Sequence, residues 1–386
     1  MAEALNPAAL IERAQRETGL TDFDSQSFRD GLSILLSEAK RADRFTEQGL
    51  AGFEGEVVKA LSDRLRVADY VRRHPKVRDE RIARPVIVLG APRTGTTLAA
   101  NLLATDPARR SLLSWILTDP VPPPTLKTLK TDPRCLAALE RERIQRETNP
   151  SAGRFYRNSA IYPNECIFVM HHDFKSLCWE AYLPMPGYLE FMLHGDMSTA
   201  YAYHRLFLQM LQSQAPGAWN LKMPSHALHV RWMIEAYPDA RIVWTHRDPF
   251  AAMGSLMSLN AFGGGRYTGG NPDIGHLAAN APRQIAEHVN RMIAFKAARP
   301  EIPVHDLHYA EMMRDPVGEM RRLYAFLGDP FTEEVEQGMR DWLADNPQGK
   351  WGKHAYTLEA FGHTEASIRP FFENYLAHVE VESEGV

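Results

Sequence analysis

Cysteine is scarce in this chain. Three are spread over 386 residues, at Cys135, Cys166 and Cys178, with no metal-ligand spacing. That usage excludes a disulfide scaffold and a zinc ribbon. It fits a reducing, cytoplasmic setting in which each thiol is a small buried hydrophobe. Long apolar runs are missing too, and none approaches the length of a membrane-spanning helix. The opening "MAEALNPAAL" has no basic region leading into an apolar one, so it does not read as a signal peptide. Positive charge is not in excess. With 44 Lys and Arg against 48 Asp and Glu, the formal net charge is −4, and nucleic acid is not an expected partner. There is no internal repeat. What the chain does have is 44% hydrophobic residues, enough for a large core.

Residues 1 to about 80 read as an N-terminal helical region. Asn6 is placed to cap a helix with Pro7 at its first position. "SFRDGLSILLSEAKRA" and "FEGEVVKALSDRLRVADYVRRH" carry apolar residues at helical spacing. "RPVIVLG" is a short continuous apolar run, the mark of a buried parallel strand. Two more strands are expected at "AWNLKM" and "ARIVWTHR", with a helix between them, and a fourth at "VHDLHYAEM". This rhythm implies a parallel sheet covered on both faces, a three-layer α/β/α architecture over residues 81–386. A helical insertion is expected at about 110–215, opened by the loop "DPVPPPT". "NAFGGGRYTGGNPDIG", 260–275, is glycine-rich enough to be expected as a mobile loop.

One further absence is more informative. "PVIVLGAPRTGTTLAANLLATDP", 85–107, reads as strand, tight loop and helix, with Gly90 and Gly95 at the spacing of a phosphate-binding P-loop. The lysine that would reach a terminal phosphate is missing, and Thr96 and Thr97 stand in its place. Backbone N–H groups and the helix N-terminus still favour a phosphate-like group. A triphosphate with Mg²⁺ is disfavoured, and Arg93 inside the loop is placed to contact the anion from the side.

A second motif lies far downstream. In "THRDPFAAMGSLMSL", Arg247 follows a strand, Asp248 and Pro249 open a helix, and Ser255 comes eight residues after Arg247. A strand-end arginine and a helical serine two turns on would grip a second anion. A nucleotide with two separated phosphates needs both sites.

Taken together, these residues resemble the P-loop sulfotransferases that use 3′-phosphoadenosine 5′-phosphosulfate (PAPS), in their bacterial branch. "PRTGTT" matches the lysine-free loop of that family, and Arg247 with Ser255 matches its 3′-phosphate pair. Recognisable pieces run from the N-terminal helices to "WGKHAYTLEAFG". The resemblance implies that Arg93, Thr94, Gly95, Thr96 and Thr97 hold the phosphosulfate and that Arg247 and Ser255 hold the 3′-phosphate. It further implies that Tyr309 faces the nucleotide and that Lys350 and Lys353 close over the 3′-phosphate. Leu98 stands where many cytosolic relatives have a tryptophan that stacks on adenine.

The chemistry so implied is metal-free sulfuryl transfer to a hydroxyl of a small, hydrophobic or lipid-like acceptor. Such an in-line displacement needs a base and cations at the sulfuryl oxygens and leaving group. Lys222, at a strand end, is the expected stabilising cation. The base is left between His226 in "KMPSH" and Glu165 in "YPNEC". His171 and His172 read as core histidines. "AYLPMPGYLEFML", 181–193, reads as core or as the wall of an acceptor pocket. A nucleotide phosphotransferase and a non-catalytic nucleotide-binding module are the alternatives, and a homodimer is compatible with the sequence.

Overall fold

The computed structural model describes residues 5–148, 159–347 and 357–385. Five parallel strands form its sheet: β1 (Val86–Gly90), β2 (Arg109–Ser111), β3 (Ala218–Lys222), β4 (Arg241–His246) and β5 (Val304–His308). Their order is β2-β3-β1-β4-β5, so the chain crosses over β1 between β3 and β4. In such a sheet the crevice outside the carboxyl ends of the strands, where the connections diverge, is where ligands bind. β2 was not expected. Its three residues, Arg-Arg-Ser, carry no apolar run, and pairing with β3 alone makes them a strand.

Every position of β1 is buried. Val86 and Val88 join one cluster with Ala99, Leu102 and Leu103, while Ile87 and Leu89 join a second with Leu221, Ile242 and Trp244. A fully buried aliphatic side chain contributes about 1.5–3 kcal/mol over an exposed one. A strand apolar on both faces therefore goes to the middle of the sheet, between two helical layers, and this gives the expected three-layer α/β/α architecture.

The N-terminal helices Pro7–Thr18, Phe28–Ala42 and Glu47–Arg73 follow their sequence signals. The Asn6 carboxamide accepts the Ala8 and Ala9 N–H groups. These helices share the larger core cluster with β1, β3 and β4. Arg64, fully buried, donates to Asp173 Oδ1 at 2.9 Å and to the Ser27 hydroxyl at 3.0 Å, and its guanidinium lies 4.4 Å from the Tyr203 ring centre. Asp173 also accepts the Thr199 hydroxyl at 2.9 Å, so this buried charge pair is bonded on both sides.

The glycine-rich stretch differs from expectation. The helix Pro249–Gly263 runs into it, and Tyr267 is 1% exposed. The Tyr267 carbonyl accepts the Thr46 N–H at 3.1 Å, its hydroxyl donates to Glu56, and its ring meets Phe53 edge-on at 5.4 Å. One aromatic side chain thus ties this stretch to the helix Glu47–Arg73. Among the described residues no helix is long and apolar enough to cross a membrane.

Candidate active site

The candidate residues gather at one edge because four strands end there. The Gly-rich loop follows β1, Lys222 closes β3, Arg247 follows β4 and Tyr309 follows β5. Register puts Thr245 of β4 opposite Gly90 and Lys222 of β3 opposite Val88.

Gly90 has φ +147°, and a Cβ there would lie 2.5 Å from Thr245 Oγ1 and 2.7 Å from its carbonyl oxygen. Only glycine lets β1 meet β4 this closely as the chain enters the turn. The turn continues through Arg93 at φ +69° and Gly95 at φ +98°, the latter capping the helix Thr96–Leu103. Thr94 is buried, with its hydroxyl donating to the Ala91 carbonyl at 2.7 Å and lying 2.5 Å from Thr245 Oγ1. That hydroxyl braces the turn from beneath. Thr96 is buried and Thr97 half-buried at the first turn of the helix.

Arg247 reaches back to this loop. Its Nη1 donates to the Arg93 carbonyl at 2.8 Å, and Arg93 Nε donates to Ser255 Oγ at 2.9 Å. Tyr309 lies between the two motifs: its ring sits 4.2 Å from the Arg247 guanidinium, and a Cβ on Gly95 would lie 3.1 Å from it. The loop, Arg247, Ser255 and Tyr309 thus form one continuous surface. Asp248 caps the helix Pro249–Gly263 by accepting the Phe250 N–H at 2.9 Å, which fixes where Arg247 leaves its strand.

At the other flank of β1, Lys222 Nζ donates to Glu165 Oε1 at 2.7 Å. The lysine side chain is 2% exposed and the glutamate 20%. Burial disfavours an unpaired ammonium, and the Glu165 carboxylate is the partner that offsets this cost at the cleft edge.

The family model described as "Sulfotransferase family" matches residues 85–333, from β1 to past β5. The chain belongs to the sulfotransferase family. The sulfotransferase STF9 from Mycobacterium avium is 39% identical and superposes with a TM-score of 0.89 over 99% of this chain and 98% of that one. STF1 from Mycobacterium tuberculosis H37Rv is 26% identical, with a TM-score of 0.83 over 96% of this chain and 98% of that one. The omega-hydroxy-beta-dihydromenaquinone-9 sulfotransferase Stf3 of Mycobacterium bovis is 24% identical over 153 residues. That alignment spans 40% of this chain and 39% of the relative.

Within this sulfotransferase the two base candidates sit differently. His226 is fully buried in the 3-10 turn Pro224–Ala227, with Nδ1 2.7 Å from the Tyr201 hydroxyl. Its Nε2 has no hydrogen-bond partner among the described residues. Burial, with His204 and His229 nearby, pushes its pKa well below the ordinary imidazole value. Glu165 stands on Lys222 with part of its surface open. His171, partly buried, stacks on Trp179 at 3.7 Å, and His172, buried, meets the Tyr203 hydroxyl at 3.0 Å. Within 181–193, Leu183, Met185, Tyr188, Leu189, Met192 and Leu193 are buried in the main core cluster, so these six build the core. Lys350 and Lys353 lie outside the described residues. Among the described residues no group of three or more His, Cys, Asp or Glu is placed to hold a metal.

Two residues that sequence reasoning did not single out belong to this site. Thr245 underlies the turn, and only strand register identifies it. Glu384 carries no motif, yet its carboxylate meets the Arg247 guanidinium through both oxygens, at 2.6 and 2.7 Å.

Proposed function

We propose that the chain moves a sulfuryl group from PAPS to a hydroxyl of a small hydrophobic or lipid-like acceptor. The observation that carries the reading is the 2.8 Å bond from Arg247 Nη1 to the Arg93 carbonyl. It makes the loop's backbone cradle and the strand-end arginine two ends of one cleft. Backbone N–H groups of the turn, Thr96 and Thr97 at the helix N-terminus, and Arg93 beside them suit the 5′-phosphosulfate. Arg247 and Ser255 suit a 3′-phosphate, with the Tyr309 ring between the two.

Glu165 is the base in this reading. As the acceptor hydroxyl attacks sulfur, its proton passes to Glu165 and the new O–S bond forms. The S–O bond to the 5′-phosphate breaks and its electron pair leaves on the phosphate oxygen, giving adenosine 3′,5′-bisphosphate. Neutralising Glu165 frees the Lys222 charge for the sulfuryl oxygens and the departing phosphate as charge develops there. His226, sealed in the core, supports the turn that follows Lys222. The M. bovis relative is named for an omega-hydroxylated dihydromenaquinone, and a hydroxyl on a hydrophobic chain is the acceptor class assigned here.

The test is thermal unfolding with adenosine 3′,5′-bisphosphate, followed by transfer from PAPS to a panel of hydrophobic alcohols. A hundredfold excess over Kd should raise stability by roughly 2.7 kcal/mol, and at the same nucleotide concentration Arg247→Ala should reduce the gain. Activity with ATP and Mg²⁺ but none with PAPS would make the protein a phosphotransferase. Binding with no acceptor ever sulfated would make it a non-catalytic module.

A further inference from the structure

Residues 379–385 read "VEVESEG". Val379 and Val381 pack against the main core, while Glu380, Glu382 and Glu384 line the cavity beside Arg247. Glu382 pairs with Arg314. The Glu384 N–H donates to Asp248 Oδ2 at 2.8 Å, and its carboxylate takes Arg247 Nε at 2.6 Å and Nη2 at 2.7 Å. A cavity of about 410 Å³ runs beside this contact, lined by Arg247, Tyr309, Glu380, Glu382 and Glu384 among others.

The geometry of that contact is informative. A guanidinium offers a flat two-donor edge that carboxylate and phosphate fit equally well. Arg247 spends Nη1 on the Arg93 carbonyl, and Glu384 takes the Nε/Nη2 edge. A phosphate on that same edge must displace the carboxylate. The side chain of Glu384 is 33% exposed against 11% for Arg247, and its neighbours are small, Ser383 and Gly385. A partly solvated carboxylate on a short strip can leave without unpacking the core.

We infer that Glu384 is an internal competitor for the nucleotide 3′-phosphate, a residue that sets donor and product affinity by occupying Arg247 whenever the phosphate does not. The inference rests on the assignment of Arg247 to the 3′-phosphate. In this arrangement the departing adenosine 3′,5′-bisphosphate is replaced by a carboxylate on the Nε/Nη2 edge of Arg247. Apparent affinity then falls by the fraction of molecules in which Arg247 is open.

Calorimetric titration of the full chain with adenosine 3′,5′-bisphosphate and with adenosine 5′-phosphate tests this. Glu384→Gln should tighten the bisphosphate about fivefold and leave the 5′-monophosphate unchanged. Glu384→Ala should do the same, and Glu382→Gln should change neither. Arg247→Ala should weaken the bisphosphate and erase the effect of Glu384→Gln. Unchanged bisphosphate affinity in both Glu384 variants, with Arg247→Ala still weakening it, overturns the competitor and keeps the 3′-phosphate assignment. Equal tightening of both nucleotides shows a steric strap instead and overturns the competitor too. An equal gain from Glu382→Gln assigns the effect to the strip's overall charge and does likewise. If Arg247→Ala leaves the bisphosphate unaffected, the inference falls together with the assignment beneath it.

Discussion

Lys222 Nζ donates to Glu165 Oε1 at 2.7 Å, and the Lys222 carbonyl accepts the N–H of the next residue, Cys166, at 2.9 Å. The backbone tie fixes the loop that carries Glu165 to the end of β3, so the side-chain pair is held in place without reliance on long flexible chains. The neighbouring Cys166 thiol, pushed up to about 12 by burial, stays protonated and takes no part.

If Glu165 takes the acceptor proton, Glu165→Gln should lower kcat by about 10²–10⁴-fold while bisphosphate affinity stays within about twofold. Lys222→Met should likewise lower kcat more than it weakens binding. Steady-state kinetics alongside equilibrium binding separates the two quantities. A fully active Glu165→Gln enzyme would remove Glu165 from the role of base.

Gly90→Ala puts a methyl group 2.5 Å from Thr245 Oγ1, against a backbone that cannot retreat without parting β1 from β4. We expect a loss of about 3–5 kcal/mol in urea unfolding, together with loss of nucleotide binding. A variant of native stability would mean the two strands separate easily.

Thr245→Val keeps shape but removes the hydroxyl that meets Thr94 Oγ1 at 2.5 Å and the Leu89 carbonyl at 3.1 Å. Stability should fall by about 1–3 kcal/mol, and KM for the donor should rise with little change in kcat. A loss confined to kcat would place Thr245 in the chemistry instead of under the loop.

Asp173→Ala strands the buried Arg64 guanidinium, which otherwise donates only weak or neutral bonds, to the Ser27 hydroxyl and the His172 carbonyl. Breaking such a pair costs about 3–5 kcal/mol, and the transition should move accordingly in chemical denaturation. A cost below about 1 kcal/mol would mean water reaches Arg64.

The pH dependence follows from buried histidines. Burial lowers His204 and His229 to about 3, while in the unfolded chain both titrate near 6.5. Between those values the unfolded state binds more protons, so stability present above about pH 6.5 is lost as pH falls toward 3. His204→Leu should reduce the slope of stability against pH by about 1.4 kcal/mol per pH unit near pH 5. An unchanged slope would show that His204 is solvated or protonated in the folded state.

Much of this protein was legible in its sequence because the signals are local. A continuous apolar run, a glycine turn, a capping Asn6 or Asp248 and a helical stripe each declare themselves within a few residues. They gave four of the five strands, the three-layer arrangement and the membership of the loop. Tertiary structure decided what depends on distant partners. Arg-Arg-Ser becomes β2 only by pairing with β3, and Tyr267 pins a glycine-rich stretch only because Glu56 and Phe53 lie beneath it. The surroundings of the two base candidates have the same origin. Neither "KMPSH" nor "YPNEC" says where its side chain will lie; chain packing seals His226 against Tyr201 and sets Glu165 on Lys222. Burial and charge pairing are properties of the folded neighbourhood, and no spacing along the chain encodes them.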